Sequence, residues 1–184
     1  MKIREFFVET IGYKLFPCLY NRFHGPLFDF IKSKIPGDFL NRSLYDLGCG
    51  DGENTVRLQN AFLTKEIVAC DRSEPMLERA RKKGLKTQQL DFNDEFPKGE
   101  MAAFIYSLHH AYNKEEVLQK AKNNFQYLFI CEPYLNLLDF LNVGFMNIGH
   151  VPTRKNWLVL FDKALGDYEL YEYKSNLIIF YTRK

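Results

Sequence analysis

Three acidic residues end or follow successive apolar runs of the sequence, and the first stands beside a glycine-rich turn. Asp46 precedes Gly48-Cys49-Gly50-Asp51-Gly52, called here the glycine turn, and Asp71 and Asp91 end the next two runs. Glycines let the backbone turn sharply and let a ligand approach the main chain. Carboxylates accept hydrogen bonds from ribose hydroxyls or from an amine. The three acids therefore predict a ligand-binding site.

The spacing of the glycines bears on the class of ligand. It is G-x-G-x-G, whereas dinucleotide-binding turns have G-x-G-x-x-G. Negative charge at Asp46 and Asp51 would oppose a pyrophosphate but favour a ligand that carries an ammonium and a sulfonium group. Asp71 would also be expected in an NAD enzyme, so it does not discriminate. An NAD-dependent oxidoreductase therefore stays open as an alternative.

The elements that must position these residues alternate along the chain from residue 43. Apolar runs predict strands over residues 43–47, 66–70, 86–90, 102–108 and 127–131, with helices between them. The tail predicts a helix over 156–165 and a hairpin of 168–173 and 177–181 that turns at Ser175-Asn176. Such alternation predicts an α/β fold, a doubly wound and mostly parallel sheet that binds ligands at the carboxyl ends of its strands.

Residues 1–40 differ from the rest and predict an N-terminal helical extension, either a lid over the site or helices packed against the sheet edge, followed by a ligand-binding domain over 41–184. Apolar residues at helical spacing predict a first helix before Pro17. A second helix is predicted to begin at Pro26, a residue suited to the first turn, and to end at Pro36-Gly37.

Four segments of the chain resemble the motifs of a known family. Residues 44–52 and 68–77, followed by Leu90-Asp91-Phe92 and Ser107-Leu108-His109-His110, are similar in order and spacing to the class I S-adenosylmethionine-dependent methyltransferases, especially small ones of the ubiquinone-biosynthesis type. The resemblance implies a seven-stranded Rossmann-like sheet that ends in a reversed hairpin. The chain departs from the family at Glu100-Met101 and at residues 122–125, which affects subfamily assignment more than cofactor binding.

The resemblance also implies roles for individual residues. Gly48, Cys49, Gly50 and Gly52 would hold the methionine part of S-adenosylmethionine, supported by Asp46. Asp71 would bind the ribose, and Arg72 would lie where the family packs a side chain against adenine. Asp91 would accept from the adenine amine, the N–H of Phe92 would reach a ring nitrogen, and Ser107 would border the cofactor.

Catalytic residues are expected after the fourth and fifth strands. Histidine titrates near neutral pH and suits proton removal from an acceptor, so His109 and His110 are candidate bases. Glu132 is a candidate for orienting the acceptor or stabilising charge on it. Other roles stay open for all three, because the histidines could face the core and Glu132 could bind a loop.

The charge balance, the cysteines and the lengths of the apolar runs argue against several classes of binding partner. The 25 basic and 23 acidic residues nearly balance, which argues against nucleic acid, as does the lack of an Asp/Asn-Pro-Pro-Tyr loop after the fourth strand. The four cysteines are scattered and predict neither disulfides nor a metal site. No apolar run suits a membrane span, so we expect a cytoplasmic protein with a small-molecule acceptor. A catalytically silent S-adenosylmethionine-binding subunit or sensor is the second alternative.

Overall fold

The computed structural model describes residues 17–135 and 151–184, with side chains from residue 25 onward. The first predicted helix and the stretch that follows Leu135 up to residue 150 lie outside these residues. The elements follow one another as α1 (Pro17–Lys32), β1 (Leu44–Leu47), α2 (Glu53–Phe62), β2 (Ile67–Asp71), α3 (Glu74–Lys82), β3 (Lys86–Gln89), β4 (Gly99–Ile105), α4 (Lys114–Asn124), β5 (Phe125–Pro133), α5 (Arg154–Ala164), β6 (Glu169–Tyr173) and β7 (Asn176–Thr182).

The described strands form one seven-stranded sheet in the order β3-β2-β1-β4-β5-β7-β6. The first five are mutually parallel, and β7 is antiparallel to both of its neighbours. The predicted doubly wound sheet with a reversed terminal hairpin is thereby confirmed. Strand order reverses between β1 and β4, the point at which ligands bind in such sheets.

Both faces of the sheet are covered, which explains the continuous apolar run of β4. Its side chains alternate between two buried clusters, with Met101, Ala103 and Ile105 in one and Ala102 and Phe104 in the other. A strand that is buried on both faces needs apolar residues at every position. By contrast, β3 is an edge strand and mostly exposed, which suits its polar sequence.

The N-terminal helix α1 differs from the prediction, because it begins at Pro17 and contains Pro26 in its interior. Leu27, Phe28 and Ile31 are almost fully buried in the core on one face of the sheet. The guanidinium of Arg57 in α2 also lies 5.6 Å from the ring centre of Phe28. Tertiary packing of this apolar face thus outweighs the cost of an interior proline. The lid role of residues 1–40 stays a prediction.

Two strand ends matter for the site. β4 ends at Ile105 rather than at Leu108, because Tyr106 has a left-handed φ of 56° and a short 3-10 turn, Leu108–His110, follows. The terminal hairpin turns at Lys174-Ser175, one residue before the predicted position.

None of the helices formed by residues 17–135 and 151–184 is long and apolar enough to cross a membrane.

Candidate functional site

The glycine turn directly follows β1 at the carboxyl edge of the sheet. Gly48, Gly50 and Gly52 have φ values of 82°, 56° and 80°, a region that residues with a Cβ rarely adopt. The N–H groups of Gly48 and Cys49 donate to the carbonyl oxygen of Cys70 in β2, at 2.7 and 2.8 Å. A Cβ at Gly50 would meet nothing within 4 Å. The main chain at Gly50 is therefore open to close approach.

Gly48 lies against Ser107 and Phe92, which belong to two of the other sequence motifs. A Cβ added at Gly48 would lie 2.5 Å from Cβ of Ser107 and 3.3 Å from Cζ of Phe92. Ser107 is buried, and its hydroxyl donates to the carbonyl oxygen of Leu47 at 2.7 Å. The ends of β1, β3 and β4 are thus brought together around one glycine.

Asp46, in β1 two residues before the glycine turn, is fully buried. Its Oδ2 accepts a hydrogen bond from the hydroxyl of Thr55 at 2.5 Å, while its Oδ1 has no hydrogen-bond partner. Burial raises the pKa of this carboxyl from 3.8 to about 7, the Thr55 bond opposes the rise, and the charge of Asp71 adds to it. A buried acceptor without a donor costs free energy that a cationic ligand could recover.

Asp71, the last residue of β2, is bound to the backbone on both sides. Its Oδ2 accepts from the N–H of Gly50 and its Oδ1 from the N–H of Ser73, both at 2.9 Å. Since each carboxylate oxygen has two lone pairs, one acceptor position on each oxygen is left. The side chain of Arg72 is exposed, and its carbonyl oxygen accepts from Gln89 at 3.1 Å.

Asp91 lies two residues beyond the end of β3, in a tight loop over residues 91–94, called here the Asp91 loop. Its Oδ1 accepts from the N–H and from the side-chain amide of Asn93, at 2.9 and 2.7 Å. The ring centre of Phe92 lies 5.8 Å from that of Phe104 in β4. The loop is therefore anchored on the sheet core beside the glycine turn.

The charge of Asp51 in the glycine turn is paired. Nζ of Lys83, at the end of α3, lies 2.8 Å from Oδ2 and 2.8 Å from the carbonyl oxygen of Asp51. The electrostatic preference of the site for a cation therefore rests on Asp46 rather than on Asp51. In the same turn, burial raises the pKa of the Cys49 thiol far above its usual range, so Cys49 is a neutral, apolar wall.

Glu132, near the end of β5, is completely buried and holds the turn after β4. Its Oε1 accepts from the N–H groups of Ser107 and Leu108, at 2.8 and 2.7 Å. Its Oε2 lies 2.7 Å from Nδ1 of His109, which is also buried. Because a carboxylate only accepts, Nδ1 carries the hydrogen and Nε2 of a neutral ring presents a lone pair.

Two further residues adjoin this pair. The ring centre of His110 lies 4.0 Å from that of His109, and His110 is exposed where His109 is not. Nζ of Lys114 donates to the carbonyl oxygen of Ala111 at 2.8 Å, just after the short turn that carries both histidines. Burial lowers the pKa of Lys114, and the charge of Glu132 opposes this decrease.

Sequence reasoning missed Thr55 and Lys83 and did not pair Glu132 with His109. Thr55 lies on the buried face of α2, and a buried hydroxyl one turn into a helix is a weak signal on its own. Lys83 belongs to a run of basic residues that a solvated surface explains equally well. Among the described residues, no cluster of histidine, cysteine and acidic side chains could hold a metal ion.

Residues 44–127 match the family model described as "Methyltransferase domain". A search of the curated proteins finds no match.

Many solved structures share the fold. An O-methyltransferase family protein from Burkholderia thailandensis has a TM-score of 0.70 at 17% identity, over 89% of this chain and 57% of the other. Human N-acetylserotonin methyltransferase, solved in complex with S-adenosylmethionine, has 0.67 at 17% identity, over 85% and 51%. The chain thus spans little more than half the length of these two proteins.

A third structure is similar over its whole length. The putative methyltransferase of Haloferax volcanii, solved in a complex with the Trm112 methyltransferase activator, has a TM-score of 0.72 at 12% identity, over 96% of each chain. At these identities the similarity concerns the fold.

Proposed function

We propose that this chain is a class I S-adenosylmethionine-dependent methyltransferase that transfers a methyl group to a small-molecule acceptor, and the match of residues 44–127 to the "Methyltransferase domain" model supports this. The unpartnered Oδ1 of Asp46 carries the proposal, because it is buried two residues before the glycine turn, whose main chain is open at Gly50. A cationic ligand would relieve this unpaired acceptor, whereas a pyrophosphate would be repelled by it.

The binding roles follow from the free positions on each carboxylate. The glycine turn and Asp46 would hold the charged methionine end of the cofactor. Asp71 keeps one acceptor position on each oxygen for the two ribose hydroxyls, since Gly50 and Ser73 take only one each. Oδ2 of Asp91 is left for the adenine amine, since Asn93 takes Oδ1.

Three other residues complete the proposed cofactor site. The N–H of Phe92 would bind a ring nitrogen of adenine, and the exposed side chain of Arg72 would lie along the adenine face. Ser107 would border the cofactor on the acceptor side, because it already contacts Gly48 and holds Leu47. Bound S-adenosylmethionine would supply a methyl group on a positively charged sulfur, which is already activated for displacement.

The chain's own contribution to the chemistry would be alignment and proton removal. His109 would be the general base, with Nε2 facing the acceptor, because Glu132 occupies its Nδ1. Glu132 is completely buried, with its Oε1 bound to two backbone N–H groups and its Oε2 to His109, so its role would be to position His109 rather than to touch substrate. His110, exposed beside His109, is the candidate for contact with the acceptor. Such a base is useful when the acceptor begins protonated, so we propose a hydroxyl or an acidic carbon.

Cofactor binding tests the first part of the proposal. The purified chain is titrated calorimetrically with S-adenosylhomocysteine and, separately, with NAD. We expect binding of S-adenosylhomocysteine only, and at least tenfold weaker binding by Asp71→Ala, which loses the charge-assisted acceptor of the ribose hydroxyls. Binding of NAD without S-adenosylhomocysteine would instead indicate an oxidoreductase.

Methyl transfer tests the second part. The chain is incubated with S-adenosylmethionine carrying a tritiated methyl group and with fractionated metabolite pools, and Asp71→Ala is the inactive control. Label in a small molecule supports the proposal. Tight cofactor binding with no label in any fraction would favour a silent binding subunit or sensor.

A further inference from the structure

A lysine outside the sequence motifs binds the glycine turn from α3. Nζ of Lys83 donates to the main-chain carbonyl and to the carboxylate of Asp51, both at 2.8 Å, and lies 3.6 Å from a carboxylate oxygen of Glu53. A Cβ at Gly52 would lie 2.6 and 3.0 Å from side-chain atoms of Leu85 and Ala80. The turn is therefore fixed against the end of α3 by packing and by a charged hydrogen bond.

A second lysine binds the Asp91 loop in the same way. Nζ of Lys120, in α4, lies 3.3, 2.9 and 3.4 Å from the carbonyl oxygens of Phe92, Asn93 and Asp94. It also lies 3.4 Å from a carboxylate oxygen of Glu116, and only about a fifth of its side chain is exposed. One ammonium group thus donates to the carbonyl oxygens of three successive residues, in a loop that lies outside the sheet.

Both loops need such fixation for a physical reason. A turn with three glycines has high conformational entropy, and ordering it on ligand binding would weaken affinity. Hydrogen bonds from an ammonium group to main-chain carbonyls fix the backbone beforehand and are stronger than neutral hydrogen bonds.

We propose that Lys83 and Lys120 are positioning residues that preorganise the two halves of the cofactor site, Lys83 at the methionine end and Lys120 at the adenine end. The inference rests on the proposed function, since it assigns these loops to the two ends of S-adenosylmethionine. Substitutions of Lys83 and Lys120 should therefore affect different ligands. 5′-Methylthioadenosine contains the adenosine of S-adenosylhomocysteine but lacks its amino-acid end, so only the loss of Lys120 should weaken its binding.

The test measures the affinities of Lys83→Met and Lys120→Met for S-adenosylhomocysteine and for 5′-methylthioadenosine by calorimetry. Lys83→Met should weaken S-adenosylhomocysteine about tenfold, the size of a lost hydrogen bond to a charged group, and leave 5′-methylthioadenosine within twofold. Lys120→Met should weaken both ligands by similar factors. Lys82→Met and Lys98→Met are matched controls, because both lysines are exposed and make no hydrogen bond or ion pair with the described residues.

Two further variants separate positioning from loss of fold. Lys83→Arg keeps the charge and should recover most of the affinity. Asp51→Asn removes the negative charge that faces Lys83, and combining it with Lys83→Met should weaken binding by less than the product of the single effects. Thermal unfolding of each variant shows that it is folded at the assay temperature.

The outcomes are distinguishable. If the unmodified chain fails to bind S-adenosylhomocysteine, the proposed function fails and the inference with it. If the unmodified chain binds but Lys83→Met binds equally well, or loses both ligands equally, the role of Lys83 is overturned and the proposed function stands. An unchanged affinity of Lys120→Met for 5′-methylthioadenosine overturns the role of Lys120.

Discussion

Nδ1 of His109 lies 2.7 Å from Oε2 of Glu132, although the two residues are 23 positions apart in the chain. The same carboxylate accepts from the N–H groups of Ser107 and Leu108, so one buried acid fixes both the backbone of the turn and the ring that the turn carries. The orientation of His109 therefore depends on the end of β5 as much as on its own turn.

Replacing Glu132 by Gln should lower methyl transfer by a factor of about 10² or more, the usual contribution of a positioned base. The amide nitrogen would donate to Nδ1 and move the ring hydrogen to Nε2, which is the wrong tautomer for a base. The rate constant is measured at saturating cofactor, and the tautomer of His109 is followed by ¹⁵N NMR. If this variant binds S-adenosylhomocysteine as tightly as the unmodified chain, the loss lies in the methyl-transfer step. An unchanged rate of methyl transfer would contradict the proposed role of Glu132.

His109→Asn should lower the rate as much as Glu132→Gln, and the double variant should be no worse than the poorer single one. Residues that act as a unit are not additive, because removing either one removes the positioned base. The rates of the two single variants and the double variant, measured with the same acceptor, give the coupling. Independent, multiplicative losses would contradict a shared role.

Affinity for S-adenosylhomocysteine should increase with pH up to about pH 7 and then become constant. The ammonium end of the ligand favours the ionised form of Asp46, whose pKa burial raises to about 7. The gain is at most about tenfold per pH unit for one titrating group. Calorimetry in two buffers of different ionisation enthalpy at pH 6 should detect proton release on binding. Asp46→Asn should bind weakly at every pH, and a surviving pH dependence in this variant would assign the effect elsewhere.

Asp46 should make the unliganded protein less stable as pH rises from about 4 to 7. Its folded pKa is above its ordinary value of 3.8, so over this range the folded state holds a proton that the unfolded state has released. Thr55→Val removes the donor to the ionised carboxylate and should cost about 1–3 kcal/mol at pH 8 but less at pH 5. Urea unfolding at both pH values measures this difference, and equal losses would argue against titration of Asp46 in this range.

Gly48→Ala should destabilise the protein more than Gly84→Ala. The two glycines have φ values of 82° and 81°, so the backbone strain is the same. A Cβ at Gly84 would meet nothing within 4 Å, whereas one at Gly48 would lie 2.5 Å from Cβ of Ser107. The extra cost is about 1–3 kcal/mol, typical of overpacking, and urea unfolding of both variants measures it. Equal losses would show that Ser107 can move away without cost.

The order of the elements could be predicted from the sequence because apolar runs and helical spacing are local properties. Element ends were less predictable. The left-handed Tyr106 ends β4 three residues before the predicted end, and Pro26 lies inside α1 although it suits a first turn. In both cases contacts with distant parts of the chain outweigh the local preference.

The sequence by itself determined which residues reach the carboxyl edge of the sheet. Asp46, Asp71 and the glycine turn are fixed there by the alternation of strands and helices, since parallel strands bring their ends to one edge. Only the tertiary structure decided how these groups are partnered. It pairs Glu132 with His109 and Lys83 with Asp51 and leaves Oδ1 of Asp46 buried without a donor. Such pairings depend on the rotation of helices and the paths of loops, which packing sets and local periodicity does not.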